Sequence, residues 1–402
     1  MLQSTAVVWE LDESGYFPFY QPIVHLATGI IQGYEVLART RDIQGNVVSA
    51  GPLFFDRSIP SLVQRSIDRY VRQQALTYAA GANEDTFISL NISPDWVDMM
   101  DDASPSITIE MIRQSGLEPS RVLIELTETG CYIDKLRRLV REYQNAGVKV
   151  AIDDFGAGAS QVDRVIALQP DMIKLDMAIF KQAARGSSAA DVLLAAGNMV
   201  KRVGCQIVVE GVETEQEFHF AIECGATYIQ GWLFARAQNA FTERKRTVGQ
   251  ARQLRNSYLT RKVEQLSRAG EHNQTIFEQV RQIAKWLRAQ GDSPLDFECL
   301  GQDGIRRFYV CNIEGEQVSP NYELVGKDIR QDFHFIGHNW VHRPYFPIIV
   351  ALHAARRERI VVSDVYRDTS EGDMCKTYGL FVDEACILLV DVLCEDDTLF
   401  VS

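Results

Sequence analysis

Five oxygen-bearing side chains, Glu35, Asn91, Glu125, Asp153 and Asp154, lie in or next to separate short segments with no His or Cys at ligand spacing. Hard oxygen donors without softer companions suit Mg²⁺ or Mn²⁺ better than Zn²⁺ or Cu²⁺. The adjacent Asp153 and Asp154 offer one carboxylate able to bridge two ions and another for a second ion. Paired cations about 3.5–4 Å apart stabilise both sides of an in-line phosphoryl displacement. Any one of these acids alone reads equally well as a solvent-facing group or helix cap; five from separate strand ends do not. Lys174, in DMIKLD, either pairs with Asp171 or Asp176 or orients a water and stabilises phosphate charge. Dense carboxylates around it would keep it protonated, so it is no free base. Glu210 and Glu213, in VVEGVET, are one helical turn apart if a helix begins there. Glu210 can then touch metal or water, while Glu213 braces the loop or is a first-turn acid favoured by the helix dipole.

The segments that must position these groups are short apolar runs: PIVHL at 22–26, TFISLNI at 86–92, RVLIELT at 121–127, VKVAID at 148–153, MIKLD at 172–176, QIVVEG at 206–211 and TYIQGWLF at 227–234. Unbroken apolar runs are expected of strands covered on both faces. Between them lie helix candidates such as IDRYVRQQALTYAAG, where Ile67, Val71, Ala75 and Tyr78 recur every three or four residues before Gly81. Strand, helix and strand repeated this often predict a parallel sheet. Polar residues at the C-terminal ends of several runs favour a closed α/β barrel, whose active sites collect at that end, over an open sheet with one switch point.

The 402 residues carry 41 Lys plus Arg against 54 Asp plus Glu, a formal charge of -13. That disfavours binding a long nucleic acid, but not a small phosphodiester approached through cations. The stretch 241–290 departs from the rest with 11 Lys or Arg against 4 Glu, a local +7 that leaves -20 elsewhere. Leu259, Val263 and Leu266, then Ile276, Val280, Ile283 and Leu287, mark helical stripes in it. It reads as a helical connector or as a dimer or transmission helix. From 291 onward, RFYVCNI, RIVVSDVY, KTYGLFV and ACILLVDVL predict a smaller α+β domain. The eight cysteines form no CxxC pair, which predicts free thiols in a reducing cytoplasm, and no apolar stretch is long enough to span a membrane.

The motifs YEVLAR (34–39), LNIS (90–93), ELTE (125–128), AIDDFGAG (151–158), DMIKLD (171–176), VVEGVET (208–214) and IQGWLF (229–234), in this order, resemble the EAL-domain family of cyclic di-GMP phosphodiesterases over residues 18–240. The resemblance implies a TIM-type barrel that opens cyclic di-GMP to linear pGpG with two divalent cations, Mg²⁺ or Mn²⁺. It implies metal binding by Glu35, Asn91, Glu125, Asp153, Asp154 and Glu210, and catalytic parts for Lys174, Glu210 and Glu35. By the same resemblance Glu128 and Glu213 support the active-site loop, Gln230 lies near the metals, Gln21 and Leu37 lie near the substrate, and Arg39 contacts its phosphate. Two departures, Gln161 in a serine-like place and Ala237 in place of proline, bear on loop rigidity rather than on a ligand. The competing expectation is a silent receptor that binds cyclic di-GMP and relays its state to a partner. SPNYE, NWVHRPYF and the run around Ser363 resemble a PAS-like or Cache-like domain, implying an unknown small ligand there. The expected organisation is a barrel over 1–240, a connector over 241–290 and the regulatory domain over 291–402, assembled as a homodimer.

Overall fold

The computed structural model describes residues 13–82, 84–92, 106–127, 133–156, 161–186, 189–291, 294–355, 359–368 and 372–394. The chain divides into two compact units, 1–258 and 259–402.

The described residues of the first unit form nine strands: β1 (Phe17–His25), β2 (Ile31–Arg41), β3 (Val47–Ser49), β4 (Phe87–Ile92), β5 (Val122–Thr127), β6 (Lys149–Phe155), β7 (Met172–Leu175), β8 (Gln206–Val209) and β9 (Tyr228–Ile229). Their order is β1-β9-β8-β7-β6-β5-β4-β2-β3, and a further β1–β2 pairing closes eight of them into a barrel, with β3 hung on β2. The pairings from β2 round to β9 are parallel. The wholly parallel sheet expected from the sequence is corrected at β1, which runs antiparallel to both neighbours, making a mixed barrel. The reason is local: only five residues join β1 to β2, enough for a hairpin and too few for a parallel crossover.

Helices including Ser61–Gly81, Ile133–Asn145 and Ala189–Arg202 occupy the connections. Ser61–Gly81 buries Ile67, Val71, Ala75, Leu76 and Ala79. Tyr78 instead stacks on Tyr20 of β1, with ring centroids 5.0 Å apart. Inside the barrel, Ile23, Phe87, Leu123, Ala151, Met172, Val208 and Tyr228 form one apolar cluster, a residue from each of seven strands.

The helix Val248–Arg288 runs through the division between the units. Its first turns bury Ala251 and Leu254, and Arg255 donates to the Leu26 carbonyl at 2.8 Å. Leu259, Val263 and Leu266 are exposed. Farther on, Ile276, Val280, Ile283 and Ala284 join the core of the second unit.

That unit is an antiparallel sheet of β10 (Ile305–Asn312), β11 (Asn321–Val325), β12 (Asp328–Asp332), β13 (Val361–Val362), β14 (Tyr366–Arg367), β15 (Met374–Phe381) and β16 (Cys386–Leu393). One face packs Phe308, Leu388 and Val390 on the long helix. Tyr309, Ile387 and Leu389 on the other pack against Tyr345, Phe346 and Ile349 of the helix Tyr345–Ala354. Burial on both faces explains why β16 reads as a nearly unbroken apolar run. Among the described residues no helix is long and apolar enough to cross a membrane.

Candidate functional site

Side chains alternate between the two faces of a strand, so the next inward position above the apolar cluster lies two residues further along each parallel strand and two residues back along β1. β2 contributes Gly33 to the lower level, where the Phe87 ring lies 2.5 Å from the position a Cβ would take. Moving up one level gives Gln21, Glu35, Ser89, Glu125, Asp153, Lys174, Glu210 and Gln230: every strand changes from apolar to polar at the same step. Glu35 is the register partner of both Gln21 and Ser89.

Lys174 stands at the centre of this layer, 1% exposed. Its Nζ lies 2.6 Å from Glu210 Oε1, 2.7 Å from Glu125 Oε2, 3.4 Å from Asp153 Oδ1 and 3.7 Å from Glu35 Oε2. The alternative partners from the sequence are engaged elsewhere: Asp171 accepts from Val150 N, and Asp176 caps the helix Met177–Ala184. Burial alone would lower the Lys174 pKa, but the four carboxylates outweigh it and hold the ammonium well above its ordinary range. Burial raises the Glu125 pKa well above the usual carboxylate range, opposed by Lys174 and reinforced by the other acids. It likewise pushes Glu210 up to about 8 against the pull of Lys174. Four carboxylates share one ammonium, so full ionisation leaves three negative charges to be neutralised by protons or cations.

Each acid is further fixed. Glu35 accepts from Asn91 Nδ2 at 3.0 Å and from Gln230 Nε2. Glu125, fully buried, accepts the Ser89 hydroxyl on the oxygen that Lys174 does not take. The β6–β7 register shifts between Ile152 and Phe155, and Asp154 adopts φ 55° while its N–H points to Asp153 Oδ1 at 3.0 Å. Such a bulge re-aims both acids, and aspartate tolerates the left-handed backbone better than most residues. Asp153, Asp154 and Glu210 thereby present carboxylate oxygens within 4.8 Å of one another. This donor set, all hard oxygen with surplus negative charge, fits divalent Mg²⁺ or Mn²⁺.

Glu210 and Glu213 do not share a helix. Thr214 caps a helix that begins at Glu215, in a capping box with Glu217, so both acids lie in the preceding loop. Glu213 reaches sideways to Lys181 Nζ at 2.9 Å. Gly231 lets the segment after β9 lie against this loop: a Cβ there would meet Val212 O at 1.9 Å. Ala237, lacking proline's rigidity, precedes Gln238, which exchanges two backbone hydrogen bonds with Tyr20. Leu37 and Arg39 are half-buried on β2 above Glu35, and Arg39 lies 5.9 Å from the Phe19 ring centroid. Glu128 lies outside the described residues.

Ser89 is the one member of the polar layer that sequence reasoning passed over. The available signal was its position two residues before Asn91, which puts both on the inner face.

A family model described as EAL domain matches residues 6–237, and one described as EAL-domain associated signalling protein domain matches residues 243–400. The chain is 27% identical over 404 residues to the EAL-domain containing protein YkuI of Bacillus subtilis, covering 98% of this chain and 97% of that protein. The crystal structure of YkuI in complex with substrate c-di-GMP and calcium matches at a TM-score of 0.84 and 25% identity, over 95% of both chains. The cyclic di-GMP phosphodiesterase RocR of Pseudomonas aeruginosa is 30% identical over 235 residues, 57% of this chain and 59% of RocR. With the EAL match spanning more than half of its length, the chain belongs to the EAL-domain family.

Proposed function

We propose that this protein hydrolyses one phosphodiester bond of cyclic di-GMP, giving linear pGpG. The observation that carries this reading is the polar layer, in which four carboxylates surround one buried ammonium at the strand ends of the barrel. Glu35, Asn91, Glu125, Asp153, Asp154 and Glu210 would hold two ions of Mg²⁺ or Mn²⁺. When bound, such cations supply a more acidic water and neutralise charge on the phosphoryl oxygens.

The chain's own groups do the positioning. Lys174, held protonated, donates a hydrogen bond to the attacking water or to a phosphoryl oxygen and does not act as a base. Asn91 and Gln230 hold the Glu35 carboxylate from both sides, which fixes one wall of the site. Glu210, on a loop bounded by the Glu213–Lys181 pair, supplies a second wall beside Lys174. Gln21, Leu37 and Arg39 line the way out along β1 and β2, and the planar Arg39 fork suits two phosphoryl oxygens. Glu128 belongs with the loop supports by its motif alone. We read the second unit as a PAS-like or Cache-like regulatory domain with a small ligand, and the working form as a cytoplasmic homodimer; a monomer in light scattering would remove the last.

The test is product analysis with purified protein, cyclic di-GMP and Mg²⁺ or Mn²⁺. Formation of pGpG is expected. Substrate bound but recovered unchanged with both metals, beside an active family member, would establish the receptor reading instead.

A further inference from the structure

The β1–β2 ribbon continues past the polar layer, and its regular register defines what it carries there. Gln21 pairs with Glu35, Phe19 with Leu37 and Phe17 with Arg39, all on the face that holds the carboxylates. The opposite face buries Tyr20 and Val36, with Tyr20 stacked on Tyr78 of the helix Ser61–Gly81. The inner face is not closed in this way: Phe17, Phe19, Leu37 and Arg39 are half-exposed and Arg41 is exposed.

Two aromatic rings on that open face are each matched with a guanidinium. The Phe17 and Phe19 centroids are 5.8 Å apart. Arg39 lies 5.9 Å from the Phe19 centroid, and Arg41 lies 5.7 Å from that of Phe17. Both arginines are tethered, Arg39 to the Ala38 carbonyl at 3.0 Å and Arg41 to the Gly45 carbonyl at 2.9 Å. Rings and guanidinium planes are the surfaces on which nucleobases stack, and the same arginines offer forks for phosphate. At about 3.3 Å per residue, the six steps from Glu35 to Arg41 span roughly 20 Å of strand. That reach suits two linked nucleotides and exceeds what one needs.

We propose that Phe17 and Arg41 form an outer subsite that stacks the purine of the nucleotide half remote from the scissile bond. They thereby favour dinucleotides over smaller phosphodiesters. The subsite rests on the phosphodiesterase reading above for its substrate. It differs from the metal-binding layer in using contacts made before the chemical step, so its loss raises KM more than it lowers kcat.

The experiment compares Phe17→Ala, Arg41→Ala and Phe17→Trp with the parent protein. It reads the ratio of kcat/KM for cyclic di-GMP to that for bis(p-nitrophenyl) phosphate, which has no purine. Each alanine variant is expected to lower this ratio about tenfold, mainly through KM, while Phe17→Trp retains at least half of it. A ratio unchanged within twofold in both alanine variants overturns the proposal, as does a tryptophan variant no better than alanine. Calorimetric binding of cyclic di-GMP in Ca²⁺ separates this from failure of the catalytic reading. If the parent binds without turnover, that reading falls, and the subsite stands or falls on whether the alanine variants weaken binding about tenfold. A parent that neither binds nor hydrolyses overturns both.

Discussion

Each unit contains a buried cation among carboxylates, and the two clusters are built to opposite ends. In the second unit, Arg307 Nε donates to Asp391 Oδ2 at 2.8 Å and Nη2 donates to Asp368 Oδ1 at 2.9 Å. Thr377 and Tyr366 hydroxyls complete Asp391 Oδ1 at 2.8 and 3.1 Å. Burial works against the Arg307 charge, but Asp391 and Asp368 outweigh it and hold the pKa above its ordinary value. Two carboxylates meet a planar fork that can serve both, leaving a formal charge of about -1. In the barrel, one ammonium is divided among four carboxylates, a charge of -3 when all are ionised, and burial holds Glu125 and Glu210 toward their protonated forms. The first arrangement balances most of its charge with one fork and pins β10, β15 and β16 together. The second carries a surplus that protons or cations must neutralise, which suits a site better than a rivet.

The largest test of that contrast is Glu35→Ala. It removes a carboxylate that Asn91 and Gln230 hold in place and should lower kcat for cyclic di-GMP by at least about 10³-fold, roughly 4 kcal/mol of transition-state stabilisation. The melting temperature should stay near the parent's, because the change also relieves like-charge repulsion. Turnover within tenfold of the parent would sink the assignment of Glu35. Arg307→Leu is the counterpart. It strands Asp391 and Asp368 in the core and should cost about 3–5 kcal/mol of stability in urea unfolding. An unchanged midpoint would show that this network is not the rivet described.

What the sequence revealed divides along the same line. The runs that become β4 to β8 are legible because both faces of each strand are covered, so they are apolar nearly throughout. β2 is not, because Glu35, Leu37 and Arg39 alternate with buried Tyr34 and Val36, and half the strand addresses a polar mouth. The antiparallel entry of β1 follows from a short connection that a count of apolar runs does not weigh. Glu210, Asp153 and Lys174 were visible as charges at strand ends. Ser89 was hidden, because a hydroxyl within FISLNI looks like an ordinary strand residue. The start of the helix at Glu215 is readable from Thr214 and Glu217 as a capping box, which places both Glu210 and Glu213 before the helix. Arg307 and Asp391 are 84 residues apart, and only the β10–β16 register makes them neighbours.

A smaller effect sharpens the idea of an incomplete cluster. Cations that bind the folded barrel relieve its surplus charge, so Mn²⁺ at a hundred times its Kd should stabilise that unit by about 2.7 kcal/mol. Differential scanning calorimetry of the parent protein and Arg307→Leu would resolve whether the gain belongs to the barrel transition. EDTA should reverse it, and Glu35→Ala should diminish it. Equal stabilisation of Glu35→Ala and the parent would place the ion elsewhere.

The finest comparison uses one chemical change in both clusters. Ser89 Oγ donates to Glu125 Oε1 and Thr377 Oγ1 donates to Asp391 Oδ1; both hydroxyls are fully buried, and both carboxylates also face the local cation. Removing a hydroxyl from a buried carboxylate costs about 1–3 kcal/mol, but where the cost appears depends on what the carboxylate is for. In Thr377→Val it should appear as lost stability, with Mn²⁺ affinity unchanged, because Asp391 is engaged by Arg307 and Tyr366 in the other unit. In Ser89→Ala it should appear as roughly tenfold weaker Mn²⁺ binding by calorimetry, about 1.4 kcal/mol, because Glu125 loses the donor that aims it while Lys174 holds its other oxygen. Ser89→Thr, which keeps the hydroxyl, should recover most of that affinity. If Ser89→Ala lost only stability, the two hydroxyls would be equivalent, and the division between a finished network and an unfinished one would not extend to the residues that hold each carboxylate in place.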